Sequence, residues 1–303
     1  MNIVQHLRYG AIASLALLLF TACRKDISTS PAQPSSDNKD LVLTPAGYME
    51  RSKVHFIDGD HQLTVFNGRL LRTEKKSGKM LEDFGPVQIT PTRLPAASGW
   101  IAYAYWSNTG TPITYFTTNW VVPSAPTNKA NQTIFLFNGM QDGTTSTSYI
   151  IQPVLQWGPS AAGGGKYWAV TNWYVSSSQA FYGTLATVST GATLQGIMQQ
   201  TAVSGSNYSY NSSFVGYPAA TALQVNNVPQ AFWAAETLEA YGVTNPSTQY
   251  PPNSNVAMSS IQILKGSTNA SISWTTAHAS GATQRASVVS NSSPGGEVDI
   301  TFH

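Results

Sequence analysis

Residues 149–175 read YIIQPVLQWGPSAAGGGKYWAVTNWYV. Two runs, Tyr149–Trp157 and Tyr167–Val175, are dense in Ile, Val, Tyr and Trp, the side chains that fit a pleated, half-buried surface. Between them Gly163-Gly164-Gly165 supplies the backbone freedom a turn needs. The stretch therefore reads as an antiparallel hairpin. Similar runs lie on both sides of it: 100–106 (WIAYAYW), 114–122 (TYFTTNWVV), 133–138 (TIFLFN) and 181–188 (FYGTLATV), separated by Gly, Ser, Asn and Pro clusters. Their spacing is that of a β-sandwich. No period of about 20–50 residues marks a solenoid or propeller.

One stretch dissents. Ala231–Tyr241 (AFWAAETLEAY) is rich in helix formers and flanked by Pro229 and Gly242. Read as a helix, it places Glu236 and Glu239 on one solvated face. Read as part of an apolar stretch (Phe232-Trp233-Ala234-Ala235-Glu236), it gives Glu236 a carboxyl with a raised pKa, suited to general acid–base work.

The charge distribution divides the chain. Residues 45–98 carry 14 of the 30 charged side chains, and residues 99–303 only 9. A boundary is expected near 95–100, marked by the Pro-rich stretch Pro86–Pro95. Residues 45–97 read as a small hairpin unit: Val54–Ile57 and Gln62–Phe66 alternate around Asp58-Gly59-Asp60, and Asn67-Gly68 is a strong turn signal. Residues 98–303 form the sandwich.

At the N-terminus, Arg8 precedes a twelve-residue apolar run, Ala11–Ala22. That is too short for a bilayer core of about 30 Å and fits the apolar region of a signal peptide. Leu19-Phe20-Thr21-Ala22-Cys23 resembles the lipobox of bacterial lipoproteins. The expectation is a signal peptide over 1–22, lipidation at Cys23, the only cysteine, and a Ser/Pro-rich tether over 23–44. Arg24 in place of Asp favours an outer membrane or cell surface.

Elimination narrows the chemistry. Residues 99–303 contain no cysteine, and their histidines are His278 and His303. No zinc-ligand spacing, G-x-S-x-G elbow or phosphate-binding glycine loop occurs, so no metal or cofactor is expected. A formal charge of +2, with basic residues mostly outside the large domain, argues against nucleic acid. The oligomeric state is not encoded legibly.

Several segments, in order, resemble the glutamic peptidases, or eqolisins. Phe116–Pro123 (FTTNWVVP) resembles that family's W-x-V-P strand, and Asn138–Gly143 (NGMQDG) its V-G-I-D-G segment. Tyr149–Gln152 (YIIQ) resembles the I-L-Q that supplies the catalytic glutamine, Ala169–Tyr174 (AVTNWY) resembles A-W-Y-E-W-Y, and Ala231–Glu236 (AFWAAE) resembles A-E-W-I-V-E, which ends on the catalytic glutamate. The resemblance covers residues 98–265. It implies an all-β fold, an antiparallel sandwich of two large sheets of the concanavalin type, with Ala231–Tyr241 a strand. It also implies an endopeptidase acting on protein or peptide through an activated water, with Glu236 and a glutamine as the catalytic pair. A gapless count from Asp142-Gly143 gives Gln152, which is preferred, and a count back from Trp173 gives Gln156, in Leu155-Gln156-Trp157-Gly158. Four residues apart, the two share a face of a regular strand. Asp142, Trp157, Asn172, Trp173 and Tyr174 are the implied substrate-binding residues. Residues 45–97, with Lys75-Lys76, sit where the family carries a basic pro-region. The competing reading is a carbohydrate- or surface-binding sandwich without catalysis, since one fold serves both uses.

Overall fold

The computed structural model describes residues 40–87, 99–143, 149–176 and 178–303. The signal peptide, Cys23, the tether up to residue 39 and the boundary region 88–98 lie outside the described residues.

Two large sheets face each other, one of nine strands and one of eleven. The first runs Thr275–His278, Trp100–Ser107, Trp233–Tyr241, Thr133–Gln141, Tyr149–Ser160, Gly163–Ser176, Ala180–Tyr182, Val54–Phe56. The second includes Ile113–Val121, Thr193–Ser204, Asn207–Phe214, Leu223–Pro229 and Asn255–Lys265. The expected hairpin forms: Tyr149–Ser160 and Gly163–Ser176 pair antiparallel along their length, with a register shift at Trp157/Gly158. Trp233–Tyr241 is a central strand between Trp100–Ser107 and Thr133–Gln141. Its helical propensity gives way because every residue in it is buried, and sheet pairing satisfies its backbone on both sides.

The inward-facing residues of both sheets make one core. Leu136, Leu155, Tyr174 and Leu238 of the first sheet share it with Phe116, Trp120, Leu194 and Ile263 of the second. Each such side chain contributes about 1.5–3 kcal/mol by leaving water. A second apolar cluster lies on the other, outer face of the first sheet: Phe135, Phe137, Ile150, Val154, Trp173, Trp233 and Tyr241. A separate hairpin, Leu41–Thr44 with Gly47–Glu50, packs Leu43 into that cluster. Leu43 O accepts from Ala161 N at 2.8 Å, and Tyr48 meets Tyr241 edge-on at 6.0 Å.

Residues 54–86 extend both sheets. Val54–Phe56 runs parallel to Ala180–Tyr182, whereas His61–Phe66 runs parallel to Leu223–Pro229. These two runs therefore do not pair with each other, as their alternation suggested. The turn between them is fixed locally: Asp58 accepts from Asp60 N and bonds His61 Nδ1 at 2.7 Å, which redirects the chain from one sheet to the other. Asn67-Gly68, both in the left-handed region, makes the expected hairpin between His61–Phe66 and Arg69–Glu74.

Candidate active site

Alternation along Trp233–Tyr241 decides which side chains meet. Ala234, Leu238 and Ala240 belong to the core between the sheets, and Trp233, Ala235 and Tyr241 to the outer cluster. By parity Glu236 points inward and Glu239 outward. Bonding agrees. Glu236 Oε1 accepts from Thr118 Oγ1 of the second sheet at 2.5 Å, whereas Glu239 Oε1 accepts from Tyr241 Oη at 2.5 Å and its carboxylate from the Trp100 side chain.

Both carboxyls are fully buried. Desolvation holds the Glu236 carboxyl well above the ordinary range, against the Thr118 hydrogen bond. Its cross-strand partner is Asn138. Glu236 Oε2 and Asn138 Oδ1 both lack a partner when the carboxyl is ionised, and a protonated Glu236 can donate to that oxygen. Gly196 of the facing sheet leaves room for them: a Cβ there would lie 2.7 Å from Asn138 Oδ1. Burial among these groups favours the protonated form of Glu236.

Burial also pushes Glu239 up, to about 8, despite the hydrogen bonds from Tyr241 and Trp100. Its Oε2 has no partner. Phe135 lies opposite Glu239 on one side and opposite Gln156 on the other. Glu239 and Gln156 are therefore in register on one face, two strands apart, about 10 Å between backbones. The Phe135 side chain stands between them on that face.

Gln156 is held firmly. Its Nε2 donates to Gly158 O at 2.7 Å and Gly163 O at 2.9 Å, and its Oε1 accepts from Ser160 Oγ at 2.8 Å. The glycine run explains this: Gly164 has φ +99°, and a Cβ there would stand 2.4 Å from Gln156 Nε2. Only glycine lets the turn close over the amide.

Gln152 shares that outer face, as expected, since Trp173 of the outer cluster lies opposite it. Neither of its amide atoms has a partner. The structure thus brings Gln152, Gln156 and Trp173 to one face and keeps Glu236 off it. Of the other expected substrate-binding residues, Trp157 and Tyr174 point into the core between the sheets. Asn172 is consumed there, donating to Thr221 O at 2.7 Å and accepting from Ser212 Oγ at 2.6 Å. Asp142 follows the Thr133–Gln141 strand and acts electrostatically on Tyr149 and Tyr174, both core residues.

Motif matching passed over Glu239, Thr237 and Gln141, all buried on the outer face. Counting in twos from Trp233 finds the first two. Among the described residues no group of three or more His, Cys, Asp or Glu could hold a metal ion.

No family model matches the chain. No curated protein matches it. Among solved structures, it is similar to scytalido-glutamic peptidase with a peptide-based transition state analog, at 16% identity and a TM-score of 0.44, over 68% of this chain and 99% of that one. It is likewise similar to scytalido-glutamic peptidase with a transition state analog inhibitor, at 17% identity and a TM-score of 0.43, with the same coverage. A third is SCP-B, a member of the eqolisin family of peptidases, in a complex with the tripeptide Ala-Ile-His, at 16% identity and a TM-score of 0.43, again over 68% of this chain and 99% of that one.

Proposed function

We propose that the chain hydrolyses peptide bonds on the outer face of its first sheet, with Glu239 as general acid–base and the Gln156 amide as oxyanion donor. The observation that carries this reading is Glu239 itself: a buried carboxyl raised to about 8, with a free oxygen, in register with a fixed amide on an aromatic face. The ordered motifs that resemble glutamic peptidases support the same chemistry. As carboxylate, Glu239 takes a proton from water as that water attacks the peptide carbonyl. As carboxylic acid, it returns the proton to the leaving amine. The oxyanion accepts from Gln156 Nε2, which gives up its bond to Gly163 O to do so. A donor already free lowers such barriers by about 3–4 kcal/mol, and the bond surrendered to Gly163 O offsets part of that gain. Access requires movement above the site, where Tyr48 packs on Tyr241.

The reading includes export and a lipid anchor at Cys23, on the strength of the first 23 residues. It disfavours a sugar platform, because all eight tryptophans are buried.

The test is cleavage of denatured protein, followed by mass spectrometry from about pH 3 to 9, by wild type, Glu239→Gln and Glu236→Gln. Glu239→Gln is expected to lose about 10²–10⁴-fold, while Glu236→Gln keeps most activity. A fully active Glu239→Gln sinks the assignment.

A further inference from the structure

Gln141, Gln152 and Trp173 form a second polar cluster on the outer face, apart from Glu239. Gln152 lies directly opposite Trp173. Gln141 lies opposite Ile150, which makes it the diagonal same-face neighbour of Gln152. Such neighbours are about 7–8 Å apart, so two glutamine side chains can reach one point. All three residues are 0% exposed. Yet Nε2 and Oε1 of both glutamines and Nε1 of Trp173 make no hydrogen bond. Folding normally leaves few such atoms unpaired, and five in three adjoining side chains call for a partner that the described chain does not supply.

The Ile150 side chain packs over the backbone beside them. The register of the flanking pairs, Ile151 with Met140 and Val154 with Phe137, sets Gly139 against Gln152, and Ala235 is opposite Gly139. A Cβ at Gly139 would meet Ile150 Cδ1 at 3.0 Å. The three side chains carry no charge and offer both donors and acceptors. The complementary group is a neutral amide, which also donates and accepts. Ala235 is four residues from Glu239 along one strand, about 13 Å, a span that an extended peptide covers in about four residues.

We infer that Gln141, Gln152 and Trp173 form a subsite that holds an amide group of the peptide substrate, about four residues from the bond that is cut. The inference rests on the peptidase reading for its substrate class. Two sources supply that chemistry, a Gln or Asn side chain and the peptide backbone.

The experiment measures binding, so that it does not depend on turnover. Full-length Glu239→Gln protein is titrated calorimetrically with short blocked peptides, in which each position in turn carries Gln, Leu or an N-methylated backbone. The same titrations are run with Gln152→Leu/Trp173→Phe added. At one position, Leu for Gln or N-methylation is expected to weaken binding about tenfold. The added substitutions should erase that difference while thermal stability holds or rises, because they remove unpaired polar atoms. Dependence on Gln identifies a side-chain amide, and dependence on N-methylation a backbone amide. Peptide binding without positional dependence, dependence that survives the added substitutions, or no binding overturns the subsite. Positional binding with no cleavage by wild type overturns the hydrolase reading and leaves the subsite standing.

Discussion

Glu236 and Glu239 stand three residues apart on one strand and open onto opposite faces of the sheet, one bonded to Thr118 of the facing sheet, the other to Tyr241. Two acids, both buried and both raised, thus have separate environments and separable effects.

The first effect is on stability. Each carboxyl holds its proton more tightly in the folded chain than at its ordinary value of 4.5. The stability they confer is complete below about pH 4.5 and drains away as pH rises, for Glu239 through about 8. The slope is at most about 1.4 kcal/mol per pH unit for each group. Melting temperature is expected to fall between acid and mildly alkaline pH. Glu236→Gln and Glu239→Gln should each flatten the fall, and a slope unchanged in both variants refutes the neutral-acid assignment.

The Tyr241 hydroxyl stabilises the ionised form of Glu239 and so lowers its pKa against the pull of burial. Tyr241→Phe should move the rising limb of the pH–activity profile to higher pH while leaving the fold intact. A profile that stays put, or moves down, shows that Glu239 is not the titrating group.

Gly164→Ala forces a Cβ to 2.4 Å from Gln156 Nε2 and 2.5 Å from Gly158 O at a φ of +99°. The expected result is a loss of about 1–3 kcal/mol in unfolding free energy, with a larger fall in kcat than in KM because the oxyanion donor is displaced. Ordinary stability with ordinary kcat removes Gln156 from the mechanism.

A chain that begins at Gly99 lacks Ile57, Leu63 and Leu70, which are core residues. Their burial contributes together about 5–9 kcal/mol, against a total stability of about 5–15 kcal/mol for such domains. Circular dichroism should find the truncated chain unfolded or aggregated. A cooperatively melting, active fragment would establish residues 41–86 as removable.

The fold was legible because strands of this chain announce themselves. Runs such as WIAYAYW and TIFLFN have no other stable home, and Asn67-Gly68 allows few turns. Parity was harder. Trp233–Tyr241 and Thr133–Gln141 are buried on both faces, so no polar–apolar alternation shows which way a side chain points. Motif spacing then favoured Glu236 and Asn172, and only bonding to Thr118 and to Ser212 reveals that both face the other sheet. Gln156 was reached from sequence only by the count back from Trp173; the role of Gly163-Gly164 in holding its amide shows in the structure alone.

The parallel pairing of Leu63–Thr64 with Val225–Asn226, tied by Asn226 Nδ2 to Thr64 Oγ1 at 3.2 Å, joins segments separated by more than half the chain. On an elongating polypeptide Val54–Phe56 has no docking partner until residue 182 has emerged, and His61–Phe66, paired until then only with its own hairpin partner, gains its other neighbour only after residue 229. Assembly of both sheets is therefore a late, slow event governed by long-range closure. Until it is complete, the Val54–Phe56 and His61–Phe66 edges stand open to any neighbouring strand, and shielding them during synthesis becomes a requirement placed on the cell.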